Sequence, residues 1–322
     1  MNHTVATAAP APASLAPSSS QRLTGILFAC VGAILFAGKA VVVKLTYRYG
    51  IDSVTLIALR MLFSAPFFLA VAWWQAGRAR RGELPALTRR EGVLIGILGL
   101  MGYYLSSFLD FLGLQYVSAG LERLVLFLAP SMVVLISAWW FKRPVSRRQW
   151  FSMLVCYAGV VLVFAQDLVG KGVGDGNLWL GSLYVFGAAL SYAVYLSGTG
   201  ELVKRVGATR LVAYAMLVSC LACVIQFFCV HPAALLLQQP AGVYGYSLVH
   251  AVFNTVLPVF MLMWAVARIG APTASLLGMV GPVSVLFLAA WLLGEPITWW
   301  QLLGTVLVLS GVFVLSSRRS RA

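Results

Sequence analysis

Ten apolar runs, separated by charged residues, glycine and proline, follow one another along the chain. A helix needs roughly 20 apolar residues to cross the hydrocarbon core of a bilayer. Only helices and closed barrels satisfy their backbone groups in lipid, and runs of this length exclude barrel strands. The pattern predicts an all-α polytopic membrane protein with spans at 23–43, 53–75, 92–114, 118–141, 149–166, 178–199, 210–230, 242–267, 272–293 and 299–316.

The composition agrees with lipid as the main solvent. Hydrophobic residues fill 61% of the 322 positions and charged residues only 10%, whereas soluble domains carry about 25% charged residues. The net charge of +14 would favour nucleic-acid binding in a soluble protein. Here the basic residues cluster between apolar runs, which topology and anionic lipid headgroups explain better. We expect the lipid bilayer as a partner and no nucleic acid.

The basic residues also predict an orientation. With the N-terminus in the cytoplasm, the inner segments hold 17 Lys and Arg residues and the outer loops hold Lys44, Arg48 and Lys171. This satisfies the positive-inside rule for an even number of spans. Residues 1–21 are rich in Ala, Pro and Ser and lack the features of a signal peptide. We expect a disordered tail at 1–21, a basic tail at 318–322, and both termini in the cytoplasm.

An internal repeat divides the chain. A shift of 152 residues aligns 119–160 with 271–312 without a gap, and ten of the 42 positions are identical. Earlier segments match more weakly, with 50–53 against 207–210. The identical pairs that apolar composition does not readily produce are Pro130/Pro282, Trp139/Trp291, Pro144/Pro296, Gln149/Gln301 and Gly159/Gly311.

Each half then contains five helices, with 22–166 as the first repeat and 167–317 as the second. An odd number of spans turns the second repeat upside down in the membrane. Arg143 of one hairpin corresponds to Glu295 of the other, as the positive-inside rule requires of an inverted hairpin. Inverted repeats are the architecture of secondary transporters, whose substrate site lies near the interface of the halves. A duplication that serves structure alone is the alternative.

Two stretches resemble a known family. The segment APTASLLGMVGPVSVLFLAAWLLGEPITWWQLLGTVLVLSGV within 270–312 and the segment YVSAGLERLVLFLAP at 116–130 are similar to the ten-helix EamA-like members of the drug/metabolite transporter superfamily. The hairpin with Lys142 and Arg143 departs from the usual Gly-Glu. The resemblance implies transport of small metabolites, often amino acids, usually driven by an ion gradient, in a bacterial inner membrane.

Five ionisable residues lie within predicted spans, where charge is costly and each is a candidate for function. For Asp110, Glu122 and Arg123, a lattice of ion pairs between helices competes with direct substrate contact, and we expect Asp110 and Arg123 to pair. Lys39 and Arg60 either hold a substrate carboxylate or extend to the nearby interface. We predict that these two face a central cavity.

Polar side chains add further candidates for a transport pathway. Tyr103, Ser107 and Asp110 share one helix face by their spacing. In the second half the candidates are Tyr195 and Asn254, and Asn254 is either an interhelical hydrogen-bond donor or a cavity ligand. His250 is predicted to lie at the membrane interface.

Small residues and prolines predict the helix geometry. Pro130 and Pro282 interrupt equivalent spans, which marks either a transporter centre or a kink for packing. Gly92 and Gly96 predict close packing of two helices.

These features favour a secondary transporter of small organic metabolites, amino acids or related carboxylates, that works by alternating access. An intramembrane enzyme would need a nucleophile with a base, or a metal cluster, and the three His residues have no suitable partners in sequence. A non-transporting scaffold is the other alternative. We therefore expect no catalytic residue, no metal and no cofactor, five free cysteines, and a monomer whose partners are a small-molecule substrate and a coupling proton or ion.

Overall fold

The computed structural model describes residues 19–140, 142, 144–171 and 176–316, and this part of the chain is helical without a strand. The first half comprises α1 (Ser19–Ala37), α2 (Lys39–Tyr47), α3 (Ser53–Arg80), α4 (Arg89–Gly99), the π-helical segment π1 (Leu100–Leu105), α5 (Ser106–Leu114), α6 (Ala119–Leu126), α7 (Ala129–Trp140) and α8 (Arg147–Lys171). The second half comprises α9 (Gly176–Val206), α10 (Ala208–Val230), a short 3₁₀ turn (Ala233–Leu236), α11 (Ala241–Ala251), the π-helical segment π2 (Val252–Val256), α12 (Leu257–Leu277), α13 (Val280–Leu293) and α14 (Trp299–Ser316).

These elements match the predicted spans in order. Span 1 is α1–α2, span 2 is α3, span 3 is α4–π1–α5, span 4 is α6–α7, and span 5 is α8. Spans 6 and 7 are α9 and α10. Span 8 is α11–π2–α12 as far as Gly270, where the backbone has a φ of 77°. Span 9 is the remainder of α12 with α13, and span 10 is α14.

Eight helices are long and apolar enough to cross a membrane, and Val280–Leu293 and Trp299–Leu315 are shorter apolar helices. The chain is thus a polytopic helical membrane protein, and the count of ten crossings stays a prediction. Large aromatic side chains near span ends are exposed on the surface of the bundle, among them Trp139 at 82% and Trp299 at 84%. α1 begins within the predicted tail 1–21, and the other tail residues and 318–322 lie outside the described residues.

The packing of the spans has a twofold pattern. Span 1 packs along span 8 and span 6 packs along span 3, while span 2 packs on span 7 and span 5 on span 10. If each span of the first half is exchanged with its counterpart in the second half, the same four pairs result. Two equivalent halves that meet face to face produce such a pattern, and the buried core lies between them.

Glycine allows several of these crossings to be close. At Gly159 of span 5, an added Cβ would lie 2.7 Å from the carbonyl oxygen of Gly304 in span 10. The predicted close packing at Gly92 and Gly96 is wrong, because a Cβ at either position would meet nothing within 4 Å. One turn further along the same span, Gly99 lies against the backbone of Ala215. The face with Gly92 is turned outward because the helix buries the face of Ile95 and Leu98.

Candidate transport site between the halves

The two π-helical segments occupy equivalent positions. π1 begins at Leu100 and π2 at Val252, which is the shift of 152 residues found in the sequence repeat. A π-helical turn widens the helix and is frequent at functional sites. The Ser191 hydroxyl of span 6 donates to the Met101 carbonyl in π1 at 2.7 Å. On the other side, the Asn254 amide of π2 donates to the Leu35 carbonyl in span 1.

The crossing of spans 3 and 6 and the crossing of spans 1 and 8 differ in which span supplies the glycine. In span 3, Gly102 of π1 lies against the ring of Tyr195 in span 6. The same shift takes Gly102 to Asn254, which lies against Gly38 of span 1, so that a Cβ at Gly38 would be 3.3 Å from the amide nitrogen. A shift of 157 relates Gly38 to Tyr195. The same shift relates Gly50 to Gly207, which have similar φ angles of 76° and 84°. This shared backbone conformation supports the equivalence of Gly38 and Tyr195.

A cluster of charge lies beside the interruption at Gly38. Lys39 begins α2 and forms ion pairs with Asp110 of α5 and, at 3.4 Å, with Glu122 of α6. All three side chains are buried. Asp110 is thus occupied by Lys39, and the expected ion pair of Asp110 with Arg123 is not formed. The reason is that α2 packs against both α5 and α6, so that the Lys39 ammonium lies between their carboxylates.

Arg123 rests on aromatic and backbone groups. Its guanidinium carbon lies 5.2 Å from the Phe36 ring centroid and 5.6 Å from that of Phe127. A Cβ added at Gly281 of α13 would lie 3.2 Å from Nη2 of Arg123. Glycine at this position therefore lets the guanidinium approach the helix that follows the interruption of span 9.

Arg60 is buried without a carboxylate within 4.0 Å in the part of the chain that the structure describes. Its side chain is 4% exposed, and its guanidinium carbon lies 5.0 Å from the centroid of the Phe111 ring. Its Nη2 lies 3.8 Å from the sulfur of Met61. The alternative in which Lys39 and Arg60 extend to the interface is wrong, because both side chains are buried between spans.

His250 stacks on the same Phe111 ring, with centroids 5.3 Å apart and an interplanar angle of 18°. The prediction that His250 lies at the membrane interface is wrong, because its side chain is 0% exposed. The position of a residue along a span does not determine whether its helix face is buried. α11 packs against α2 and α3, and His250 lies on its buried face. Sequence reasoning therefore missed His250 and Phe111 as neighbours of Arg60.

The tyrosines form a second polar group. The hydroxyls of Tyr103 and Tyr195 lie 3.2 Å apart and their ring centroids 5.0 Å apart. Ser107 is only partly buried, whereas Ser106 is buried and donates to the Ala188 carbonyl at 3.0 Å. The spacing from Tyr103 to Ser107 assumed a regular α-helix. Within α5 the buried face holds Ser106 and Asp110, which lie one turn apart.

Spans 4 and 9 are interrupted where the repeat aligns them. α6 ends at Leu126 and α7 contains Pro130 as its second residue, while α12 ends at Leu277 and α13 contains Pro282 as its third. Proline has no backbone N–H, and in the first turn of a helix that N–H would have no partner within the helix. Both prolines therefore fit at the start of a new helix.

Unmet hydrogen-bonding capacity is concentrated in this region. Most buried polar atoms in folded proteins have a partner, and each exception calls for an explanation. Of the 12 buried side-chain atoms without a hydrogen-bond partner among the described residues, eight belong to this site: Arg60 Nε, Asp110 Oδ1, both oxygens of Glu122, Arg123 Nε, both ring nitrogens of His250, and Asn254 Oδ1. Among the described residues, no group of three or more His, Cys, Asp and Glu side chains could hold a metal ion. The five cysteines are free thiols.

Comparison with known proteins decides the family. The model of the EamA-like transporter family matches residues 23–165 and again 179–317. The chain belongs to the EamA-like transporter family. It is similar to the uncharacterized transporter YcbK of Bacillus subtilis, with 28% identity over 285 residues that cover 87% of this chain and 88% of the relative. An uncharacterized transporter of Archaeoglobus fulgidus is 23% identical, with coverage of 86% and 93%.

A solved structure titled "Crystal structure of protein" has the same fold. Its TM-score is 0.60 at 19% identity, with 92% of this chain and 98% of that chain covered. The two matches of the family model correspond to two EamA repeats, and the named relatives are transporters. This EamA-like protein is therefore a multi-pass membrane transporter.

Ion pairs tie the two repeats of this EamA-like transporter at both ends of the bundle. At the end predicted to be outside, Lys44 of α2 pairs with Glu295 at 2.7 Å, and Glu295 also accepts from the backbone amide of Ala119 at 3.1 Å. A cavity of about 370 Å³ lies at this end, beside Lys44 and Gln115. At the opposite end, Arg205 of α9 pairs with Glu91 of α4 at 3.0 Å.

Proposed function

We propose that this transporter moves a small organic metabolite that bears a carboxylate, such as an amino acid or a related acid, by alternating access. The observation that carries the proposal is the buried Arg60 guanidinium, which has no carboxylate partner in the described part of the chain. The membrane is a bacterial inner membrane, and both termini lie in the cytoplasm.

The charge balance of the site supports an anionic or zwitterionic substrate. Three cations, Lys39, Arg60 and Arg123, face two carboxylates, and both carboxylates lie against Lys39. A buried charge without a partner is strongly destabilising. A guanidinium binds a carboxylate through two parallel hydrogen bonds. Arg60, whose Nη2 contacts the Met61 sulfur, has no carboxylate within 4.0 Å among the described residues. A substrate carboxylate completes the site.

The neighbours of Arg60 suit the rest of such a substrate. Phe111 and His250 form a flat, mostly apolar wall beside the guanidinium. Asp110 precedes Phe111 in the same helix, and its Oδ1 has no hydrogen-bond partner. A zwitterion that binds Arg60 through its carboxylate can offer its ammonium group to this oxygen.

Alternating access fits the ties at the two ends of the bundle. The Lys44–Glu295 pair and the Arg205–Glu91 pair each join one repeat to the other. With both formed, the buried charges are closed off from either side, as in an occluded conformation. Opening one end breaks one pair and leaves the other as the pivot.

Binding and flux measurements test this function. Purified protein is screened by thermal shift against amino acids, organic acids and amines, and flux of radiolabelled hits is followed in proteoliposomes. We expect carboxylates to stabilise the protein and amines without a carboxylate to have no effect. Arg60→Met abolishes the shift and the flux, and Arg78→Met in the same helix, which removes a surface pair with Glu83, keeps both. Equal flux for carboxylates in wild type and Arg60→Met would contradict the proposal, and a changed product would indicate an enzyme.

A further inference from the structure

The carboxylates of Asp110 and Glu122 share a single ammonium group. Lys39 Nζ contacts Asp110 Oδ2 and lies 3.4 Å from Glu122 Oε1. The two acidic side chains are 2% and 0% exposed. Two carboxylates that share a buried site repel each other when both are ionised, so one of them readily keeps a proton. Two charge states of the cluster, which differ by one proton, are therefore available.

Glu122 is the member of the pair that lacks support for a negative charge. Neither of its carboxylate oxygens has a hydrogen-bond partner, whereas Asp110 lacks one only at Oδ1 because its Oδ2 accepts from Lys39. An ionised carboxylate in a dry site depends on donors for its stability. Of the two carboxylates, Glu122 therefore has the less stabilised negative charge.

Few other charges face Glu122. Arg123 is its neighbour on α6, and α9 brings Tyr192 near that guanidinium. The sequences of α13 and α14 contain no titratable residue. On α8, which also packs on α6, the titratable groups within the membrane are Cys156, Tyr157 and Asp167, and Asp167 accepts from the Ser118 hydroxyl at 2.8 Å.

We propose that the Lys39–Asp110–Glu122 cluster is a proton-binding site, and that a proton and an anionic substrate cross the membrane together. The inference rests on the proposed function. The five buried charges sum to +1, and a proton on Glu122 raises the sum to +2. The added charge strengthens binding of a substrate carboxylate, and by linkage the substrate strengthens proton binding by the same factor. Mutually favourable binding favours the carrier that holds both ligands, which is the state that symport requires.

The cluster lies where proton uptake can move helices. Lys39 directly follows the interruption between α1 and α2, and Glu122 belongs to α6, which ends at Leu126 ahead of the second interruption. Neutral Glu122 no longer holds the Lys39 ammonium. Spans 1 and 4 then lose one of the polar contacts that tie them together, next to the points where both are interrupted.

Infrared difference spectroscopy of the protein in vesicles tests the proton site without any substrate. During a titration from acid to alkaline pH, we expect the band of a protonated buried carboxyl group to disappear. Glu122→Gln removes this band, and Asp167→Asn, a buried carboxyl outside the cluster, keeps it. If Glu122→Gln does not insert, Asp110→Asn replaces it, because loss of the neighbouring negative charge shifts the band to lower pH. A band that neither variant alters overturns the inference.

Transport then tests the coupling, with radiolabelled L-glutamate, L-alanine, succinate and lactate as probes. We expect an imposed inward proton gradient to drive uptake in wild type and apparent affinity to rise at least about fivefold on acidification, within the usual range of coupling between sites. We expect Glu122→Gln to lose the response of uptake to the gradient, whereas Asp167→Asn, outside the cluster, keeps both the uptake and its response. Uptake in wild type that ignores the gradient overturns the inference and leaves the proposed function intact. No uptake or exchange of any probe overturns the proposed function, and the coupling with it.

Discussion

The crossing of span 1 with span 8 and the crossing of span 6 with span 3 occupy equivalent places in the two halves, and they solve the same packing problem with opposite choices. Where span 3 offers Gly102 to the Tyr195 ring, span 8 offers Asn254 to Gly38. In the first crossing the π-helical segment accepts a hydrogen bond from its partner span, and in the second it donates one. A close helix contact needs one small side chain, and either helix can supply it.

The charged residues of the candidate site, unlike the helix crossings, have no charged counterparts in the other half. Asp110, in the half that carries the cluster, corresponds by the shift of 152 to Leu262, which is 48% exposed on the surface of the bundle. Arg60 corresponds by the shift of 157 to Leu217. The duplicated feature is thus the backbone with its widened and interrupted helices, while the cluster of Lys39, Arg60, Asp110, Glu122 and Arg123 belongs to one copy. The proposed transport site is thus asymmetric, although the helices around it are duplicated.

The largest effect is expected from loss of charge in the first half. Asp110→Asn leaves Lys39 with Glu122 as its only carboxylate, and we expect a loss of about 3 kcal/mol in the free energy of unfolding, at the low end for a broken buried ion pair, together with loss of transport. Leu262→Ala at the equivalent position changes stability by less than about 0.5 kcal/mol, as is usual for outward-facing positions. Unfolding in detergent, followed by tryptophan fluorescence, measures both. Equal losses at the two positions would refute the asymmetry.

The next largest effect is expected from substitution of Gly102, and a smaller one from substitution of Gly38. A Cβ at Gly102 would overlap the Tyr195 ring, whereas a Cβ at Gly38 would lie 3.3 Å from the Asn254 amide nitrogen. We expect Gly102→Ala to destabilise by about 1–3 kcal/mol, the range for overpacking, and Gly38→Ala by clearly less. The control is Gly96→Ala, where nothing lies within 4 Å and alanine favours the helix by up to about 1 kcal/mol. The ranking fails if Gly38→Ala proves the more damaging variant by thermal unfolding.

A smaller effect concerns the hydrogen bonds of the π-helical segments. Asn254→Ala and Ser191→Ala each remove one bond between spans, and such bonds are worth about 0.6 kcal/mol on average in membranes. Both should therefore lower stability by about 0.5–1.5 kcal/mol. Only Asn254→Ala should also slow flux in proteoliposomes, because its partner Leu35 lies one turn before Lys39. Loss of flux in Ser191→Ala at unchanged expression would show that the tyrosine crossing also takes part in transport.

The sequence predicted the helical class, the order of the spans and the repeat, because hydrophobic length and the matched prolines are local signals. It also placed Lys39, Arg60, Asp110 and Glu122 within predicted spans, and the structure buries all four side chains in the helical bundle. It did not predict that Asp110 meets Lys39, or that His250 is buried, because these depend on which face each helix turns inward. The π-helical segments have no local signature in Leu100–Leu105 or Val252–Val256. The buried face of α5 holds Ser106 rather than the predicted Ser107.

The smallest effect compares the starts of spans 2 and 7, outside the membrane. Asp52 caps α3 by accepting from the backbone amides of Val54 at 2.8 Å and Thr55 at 3.0 Å, and His231 lies 3.3 Å from it. α10 begins after Gly207 without a side-chain cap. We expect Asp52→Ala to cost about 1 kcal/mol at neutral pH, and Thr209→Ala, at the equivalent position, less than about 0.5 kcal/mol.

The same cap predicts a dependence on pH. Burial alone would raise the pKa of Asp52, but hydrogen bonds from Thr55 and Val54 and the nearby His231 lower it below its ordinary value. A carboxyl group whose pKa is depressed by folding stabilises the native state fully above the ordinary Asp value of about 3.9. That stabilisation is lost as the pH falls through the depressed pKa. Thermal unfolding of wild type and Asp52→Ala should therefore differ at neutral pH and converge in strong acid. A difference that persists unchanged into strong acid would mean that Asp52 acts through packing and that the two helix starts do not differ in capping.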